Sequence, residues 1–329
     1  MAEGRMRLTV LGGFLGSGKT TWLRHQLHEG RYEDACIIVN EAAETPVDDA
    51  LLGRSAKLAV LAGGCACCTA KAELIDLMRK VCDERSESDS RGRRLQRIVL
   101  ETSGLADPAP IVAAIQADPV LVSHIVIGEI VVAVDALHAL QQLRTELLGR
   151  RQIETADRLV ITKVDAAGRD DLATLVATLR RLNPGAAISG AILGSPSDLP
   201  DFAQVAPEDL PELGEADTRG AIFPTRLRIN DTIGWTGFGV WLSALLHARG
   251  DDVLRVKGVV RTPAGRLLLQ SVRKVVQSPE ILPEQEDDAG REDDMIVVIG
   301  RGYKAGDLKR SLAYFAGAEG RGLRGGEPG

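Results

Sequence analysis

No window of this sequence holds the roughly 18 apolar residues that a membrane-crossing helix needs. The N-terminal stretch MAEGRMRLTVLGG also lacks the apolar run, roughly 7–15 residues long, of a secretory signal. Positive charge is in deficit: 40 Lys+Arg stand against 46 Asp+Glu, a formal net charge of −6. That balance gives no basic footprint for nucleic acid. The expectation is a cytoplasmic protein that binds neither membrane nor nucleic acid. Cysteine is scarce, five in 329 residues, which in a reducing compartment argues against a disulfide scaffold. Three of the five, Cys65, Cys67 and Cys68, nevertheless fall within four positions, a crowding that suits metal binding or redox chemistry. The five histidines do not cluster, and His25 and His28 read as surface positions. No internal repeat is found.

What the chain does have is enough apolar residue, 44%, to bury one large core and a smaller one. RLTVLG (7–12), ACIIVN (35–40), KLAVLA (57–62), RIVLE (97–101), IVVAV (130–134) and RLVIT (158–162) read as strands. They are apolar without alternation, as strands of a parallel sheet covered on both faces are. Leu74, Leu77, Met78 and Val81 recur at helical spacing, as do Leu172, Leu175, Val176 and Leu179. Strand and helix in alternation predict an α/β class: a doubly wound, mostly parallel sheet over residues 1–190, followed by a smaller α+β domain. Residues 191–220, with Pro196, Pro200, Pro207 and Pro211 among acidic residues, read as a linker. Residues 221–316 suggest a βαβββα unit with a ferredoxin-like fold as the expectation, and 317–329 a Gly-rich flexible tail. Cys36 and Cys82 read as core thiols.

Gly13-Phe14-Leu15-Gly16-Ser17-Gly18-Lys19-Thr20 fits GxxxxGK[ST] between a strand and a helix, the context that makes this a phosphate-binding loop. Backbone N–H groups freed by Gly13, Gly16 and Gly18 would cradle phosphate, and the helix N-terminus adds partial positive charge. Lys19 would reach the β- and γ-phosphates and Thr20 would offer its hydroxyl to Mg²⁺, with Ser17 and Thr21 completing the nucleotide contacts. After the strand RIVL comes ETSGLADP, where Glu101 is placed to hold Mg²⁺ or its water and Gly104 to meet the γ-phosphate through its N–H. Lys19, Thr20 and Glu101 are the candidate catalytic set. In ITKVD (161–165), Asp165 could accept from both donors of guanine while the Lys163 stem covers the base, with Thr162 beside them.

Cys65, Cys67 and Cys68 follow a strand and the pair Gly63-Gly64, so three thiolates could converge on one Zn²⁺ and leave a ligand position open. Cys65 and Cys68 also form a C-x-x-C, which keeps redox chemistry and plain buried thiols as alternatives.

GGFLGSGKTT, IIVNE, GGCACC, ETSGLADPAP, ITKVD and LNPGA occur in this order, followed by LRVKGVV and LLLQSV. In these motifs the chain resembles the CobW-like GTPases, relatives of the HypB and UreG nickel-insertion GTPases. The resemblance implies GTP hydrolysis coupled to holding or transferring a transition metal, zinc or cobalt, with a client metalloprotein or metal-insertion enzyme, or a second copy in a homodimer, as partner. It places Glu41 with the cysteines at the metal and Asp48 near Mg²⁺. Two departures stand out. The switch segment reads NEAAETPVDD, without the aromatic and glycines usual in the family and with Pro46, and Thr162 stands where the family has Asn. No catalytic glutamine or arginine finger is evident, which implies slow turnover without a partner. A nucleotide-modulated metal sensor or buffer, and a small-molecule kinase, are the competing readings.

Overall fold

The computed structural model describes residues 4–40, 57–61, 68–87, 95–213, 223–229, 235–250, 252–262, 265–272, 274–276, 279–282 and 294–322. Contacts divide the chain into two compact units, Glu3–Thr218 and Arg219–Gly329, the latter with Met1–Ala2.

The first unit is built on eight strands: β1 (Met6–Gly13), β2 (Ala35–Asn40), β3 (Lys57–Leu61), β4 (Arg97–Glu101), β5 (Ile125–Asp135), β6 (Arg158–Thr162), β7 (Ala187–Ile192) and β8 (Ser195–Ser197). Their order is β3-β2-β4-β1-β5-β6-β7-β8. Neighbours from β3 through β7 pair in parallel, and β8 alone is antiparallel. The apolar runs are buried as their composition demands: Leu8, Val10, Ile98, Ile127, Val131 and Leu159 lie inside. β5 starts five residues before the run IVVAV, because Ile125–Ile127 pair with Met6–Leu8 and an irregularity at Gly128 absorbs the offset.

Helices cover the sheet: α1 (Lys19–His28), α2 (Cys68–Glu87), α3 (Pro108–Gln116), α4 (Pro119–His124), α5 (Ala139–Thr145), α6 (Leu147–Thr155) and α7 (Arg169–Leu182). α3 and α4 each start on an Asp-Pro pair. Asp107 accepts from Ala109 N–H, Asp118 accepts from Val120 and Leu121 N–H, and each proline opens its helix where no N–H is needed. α2 buries Leu74, Met78, Val81 and Cys82, with Leu77 half-buried, and α7 buries Leu172, Leu175, Val176 and Leu179. Cys36 and Cys82 are core thiols, and burial pushes Cys82 up to about 11.

The stretch expected to be a linker differs from that expectation up to residue 213, the end of its described part. Ile192 closes β7, and Leu193-Gly194, both at positive φ (50° and 97°), turn the chain into β8 by a two-residue hairpin. Beyond β8, Thr178 Oγ1 accepts from Glu208 N–H at 2.8 Å and Arg150 donates to Pro211 O at 2.7 Å. Arg144 donates to Glu208 at 2.8 Å as well. These bonds fasten a proline-rich stretch to the first unit.

The second unit holds β9 (Phe223–Arg228), α8 (Trp235–Arg249), β10 (Val253–Thr262), β11 (Gly265–Val272), β12 (Val275–Val276), β13 (Glu280–Leu282), β14 (Met295–Gly300) and α9 (Ala305–Gly322). The sheet is antiparallel, in the order β12-β11-β10-β14-β9 with β13 beside β11. The strand order departs from the ferredoxin-like expectation, and among the described residues no helix stands between the third and fourth strands, where the βαββαβ sequence would have one. Phe238, Trp241, Leu246, Val256, Ile296 and Leu308 form its core. Trp241 Nε1 donates to Ser311 Oγ at 2.6 Å, joining α8 to α9. α9 continues to Gly322, so the expected flexible tail begins as helix over 317–322. No described helix in either unit is long and apolar enough to cross a membrane.

Asn183 of the LNPGA motif acts in the fold. Its amide donates to Ile153 O (2.7 Å) and Ala156 O (2.9 Å) at the end of α6, and its Oδ1 accepts from Ala186 N–H at 3.1 Å. The side chain is buried. Asn183→Ala leaves several buried backbone groups unpaired and should destabilise the first unit by about 2–4 kcal/mol. Urea unfolding followed by tryptophan fluorescence measures this, and an unchanged midpoint contradicts it.

Candidate functional site

Parallel pairing puts the C-terminal ends of β1, β4, β5 and β6 along one edge of the sheet, where ligands of such folds bind. The phosphate loop leaves β1 there. Gly13 has φ 131°, and a Cβ on it would stand 2.4 Å from Ala133 O of β5, so only glycine fits. Gly16 (φ 71°) and Gly18 (φ 79°) are left-handed, and Gly18 delivers the chain into α1 without a side-chain cap. The first N–H groups of α1 are thus open to an anion. Lys19 lies back over the loop, its Nζ donating to Gly13 O and Phe14 O at 2.9 Å each.

Thr20 Oγ1 donates to Glu101 Oε1 at 2.5 Å. Glu101, at the end of β4, is 3% exposed, and its Oε2 is buried with no hydrogen-bond partner among the described residues. Burial pushes the Glu101 carboxyl up, against the opposing pull of the Thr20 hydrogen bond and the Lys19 and Arg24 charges. A hydroxyl and an unsatisfied carboxylate oxygen side by side are the hard oxygen donors that Mg²⁺ takes. The residues present therefore fit a magnesium ion. Ser17 Oγ is likewise buried and unpartnered among the described residues. Gly104 lies against the phosphate loop so closely that a Cβ would stand 2.5 Å from Leu15 N. Thr21 is an exposed residue of α1.

At the other end of the crevice, the Thr162 hydroxyl donates to Ser17 O at 2.8 Å. It braces the phosphate loop. Lys163, left-handed at φ 58°, donates to Gly16 O (2.9 Å) and to Asp135 (2.7 Å), stretching its stem across the crevice. Asp165 sits exposed on the single turn Val164–Ala166. Asp135, at the end of β5, escaped the sequence reading. Burial acts to raise its carboxyl, but bonds from Lys163, Leu137 N–H and His138 bring it below the usual carboxylate range. Its signal was the one that marked Glu101, a carboxylate ending an apolar strand.

Of the expected metal ligands, Cys65, Cys67 and Glu41 lie outside the described residues, as does Asp48. Cys68 opens α2, and β3 ends at Leu61 on the same edge as the phosphate loop. Among the described residues no group of three or more His, Cys, Asp or Glu could hold a metal ion.

The described geometry agrees with what comparison with known proteins finds. Residues 7–189 match the CobW/HypB/UreG nucleotide-binding domain, and residues 225–316 match the cobalamin synthesis protein CobW C-terminal domain. The zinc chaperone YjiA of Escherichia coli is 36% identical over 182 residues, 55% of this chain and 56% of that protein. The zinc chaperone CobW of Pseudomonas aeruginosa is 36% identical over 122 residues, 34% of this chain and 31% of that one. The alignments span about half or less of these relatives' lengths. The crystal structure of Zn(II)-bound YjiA GTPase from E. coli shares the fold, with a TM-score of 0.60 at 24% identity over 94% of this chain and 99% of that one. With its nucleotide-binding domain matched over more than half its length, the chain belongs to the CobW/HypB/UreG family.

Proposed function

We propose that the protein is a GTP-hydrolysing metallochaperone that binds a transition metal, zinc or cobalt, and delivers it to a client protein or cofactor pathway in the cytoplasm. The observation that carries this reading is the Thr20–Glu101 pair with its unsatisfied carboxylate oxygen, beside Lys19, at the sheet edge where β3 ends, a few residues before the cysteines in sequence. The names of the relatives favour zinc over cobalt. Residues 1–190 serve as the GTPase domain with its cysteine loop, and 221–316 as the CobW-type C-terminal α+β domain.

In this reading Gly13, Gly16, Ser17, Gly18 and Thr21 line the phosphate cradle, and Lys19 trades its loop carbonyls for β- and γ-phosphate oxygens. Thr20 and Glu101, with Asp48, would hold Mg²⁺, and the ion would supply charge neutralisation. Lys19 and the N–H groups of the loop stabilise the charge on the transferring phosphoryl group, while Gly104 N–H meets its terminal oxygen. Asp165 takes the guanine edge, the Lys163 stem covers the base, and Thr162 acts through the loop. Cys65, Cys67, Cys68 and Glu41 take the metal, which is cargo.

Guanine selectivity rests on Asp165, whose carboxylate adenine leaves unpaired. ATP should compete for the site about ten- to a hundredfold more weakly than GTP, and Asp165→Ala should erase most of that difference. Equal competition in the wild-type protein refutes the assignment.

Glu101 predicts a trade between stability and function. Its carboxyl is raised in the fold, so the folded state holds the proton at pH values where the unfolded chain has lost it. Stability without nucleotide must then fall as pH rises from the ordinary glutamate value to the raised one. Glu101→Gln removes that slope and leaves the nucleotide-free protein as stable as wild type or more so. The same change should lower Mg²⁺-dependent GTP hydrolysis by about a hundredfold. Melting curves across pH, with hydrolysis assays, test both; an unstable but active variant is the contrary result.

The function as a whole is tested by titrating Zn²⁺ or Co²⁺ with a non-hydrolysable GTP analogue and Mg²⁺, with GDP, and without nucleotide. Metal affinity should be tightest with the analogue, by roughly 5–150-fold, with reciprocal tightening of the nucleotide. Cys67→Ser should weaken the metal and spare the nucleotide. Three superimposable curves overturn the coupling.

A further inference from the structure

Gln152 of α6 is 1% exposed and has no part in the chemistry above. Its side-chain amide donates to Ala106 O at 2.8 Å and to Gly104 O at 3.4 Å. Both carbonyls belong to the loop after β4. Thr102 N–H ties the start of that loop to Leu11 O (2.9 Å), and Asp107 anchors its end as the cap of α3. Between them Ser103 O accepts from Ala106 N–H at 3.0 Å, which makes 103–106 a closed turn and fixes the peptide plane that carries the Gly104 N–H. Gly104 is buried against Leu15. Among the described residues no acceptor meets its N–H. A backbone N–H that meets no acceptor among the described residues is open to an acceptor from a bound ligand.

α6 is a fixed mount for the amide. Two residues before Gln152, Arg150 donates to Leu143 O and to Pro211 O, both at 2.7 Å. At the other end Asn183 binds the carbonyls of Ile153 and Ala156. A donor held from both sides does not follow the turn when it tilts. It holds the turn in place. The turn needs such a hold, because its glycine resists no rotation of its own.

We propose that Gln152 is a positioning residue for recognition of the terminal phosphate: by gripping Gly104 O and Ala106 O it aims the Gly104 N–H at a γ-phosphate oxygen and so lets the site tell a nucleoside triphosphate from a diphosphate. This rests on the reading of the crevice as a GTP site. GDP has no atom at the end of the chain that the Gly104 N–H faces, so the effect of Gln152 must appear with GTP and not with GDP. A purely structural role would weaken both nucleotides together.

The test is titration of the full chain with GDP and with a non-hydrolysable GTP analogue, both with Mg²⁺, for wild type and Gln152→Met. Methionine keeps the length of the side chain and removes its donors. The variant should hold GDP within about twofold of wild type and lose roughly tenfold in affinity for the analogue, the worth of one hydrogen bond to a charged group. If Gln152→Met melts too low to titrate, Gln152→Asn, which keeps the amide but withdraws it by one methylene, should show the same selective loss. Equal losses for both nucleotides, or an unchanged ratio, overturn the proposal while leaving the GTP site standing. Wild-type protein that binds neither nucleotide refutes the GTP site, and this inference with it.

Discussion

The backbone of β1 passes so close to β5 that residue 13 can carry no side chain: a Cβ there would stand 2.4 Å from Ala133 O. This contact holds the end of β1 deep between β4 and β5, its partners on either side. From that position the loop turns inward, Lys19 folds back over it, and Thr20 meets Glu101 across the gap. On the far side Thr162 and Lys163 reach the loop from β6 through Ser17 O and Gly16 O. The ends of β4, β5 and β6 are thus each bound to the loop that leaves β1, by a hydrogen bond or a close approach.

Two carboxylates at equivalent strand ends behave oppositely. Glu101 keeps one oxygen without a protein donor, and its carboxyl is raised. Asp135 is met by an ammonium, a backbone N–H and an imidazole, and its carboxyl is lowered. Burial acts in the same direction on both, so the donors decide the sign. Glu101 is left with an oxygen that no described group meets, whereas Asp135 already has a cation in Lys163.

The central strands were legible in the sequence because each is an unbroken apolar run, and the phosphate loop because its glycines stand where the backbone admits nothing else. β7 was not, since AISGAI dilutes its apolar residues with Ser189 and Gly190, the latter left bare for Ser197 O to approach. The fastening of residues up to 213 was hidden too: Arg150 and Thr178 are ordinary helix residues until the fold brings Pro211 and Glu208 to them. Gln152 and Asn183 carry no spacing signal, because each acts on backbone carbonyls whose own side chains are irrelevant. Thr162 stands where the family has Asn, and nothing in the sequence announces that its hydroxyl donates to the phosphate loop at Ser17 O. Periodicity reports burial, while hydrogen bonds from side chain to distant backbone leave no trace in it.

The two carbonyls that hold the Lys19 ammonium have a consequence for how the loop meets a ligand. With the Lys19 ammonium already bonded within the loop, the cradle keeps its shape when no phosphate is there. An arriving nucleotide meets a preorganised surface, and the entropy of ordering the loop is lost in folding and not again on each encounter. Replacing one nucleotide by another then requires an exchange of oxygen atoms around Nζ, with the backbone left as it was.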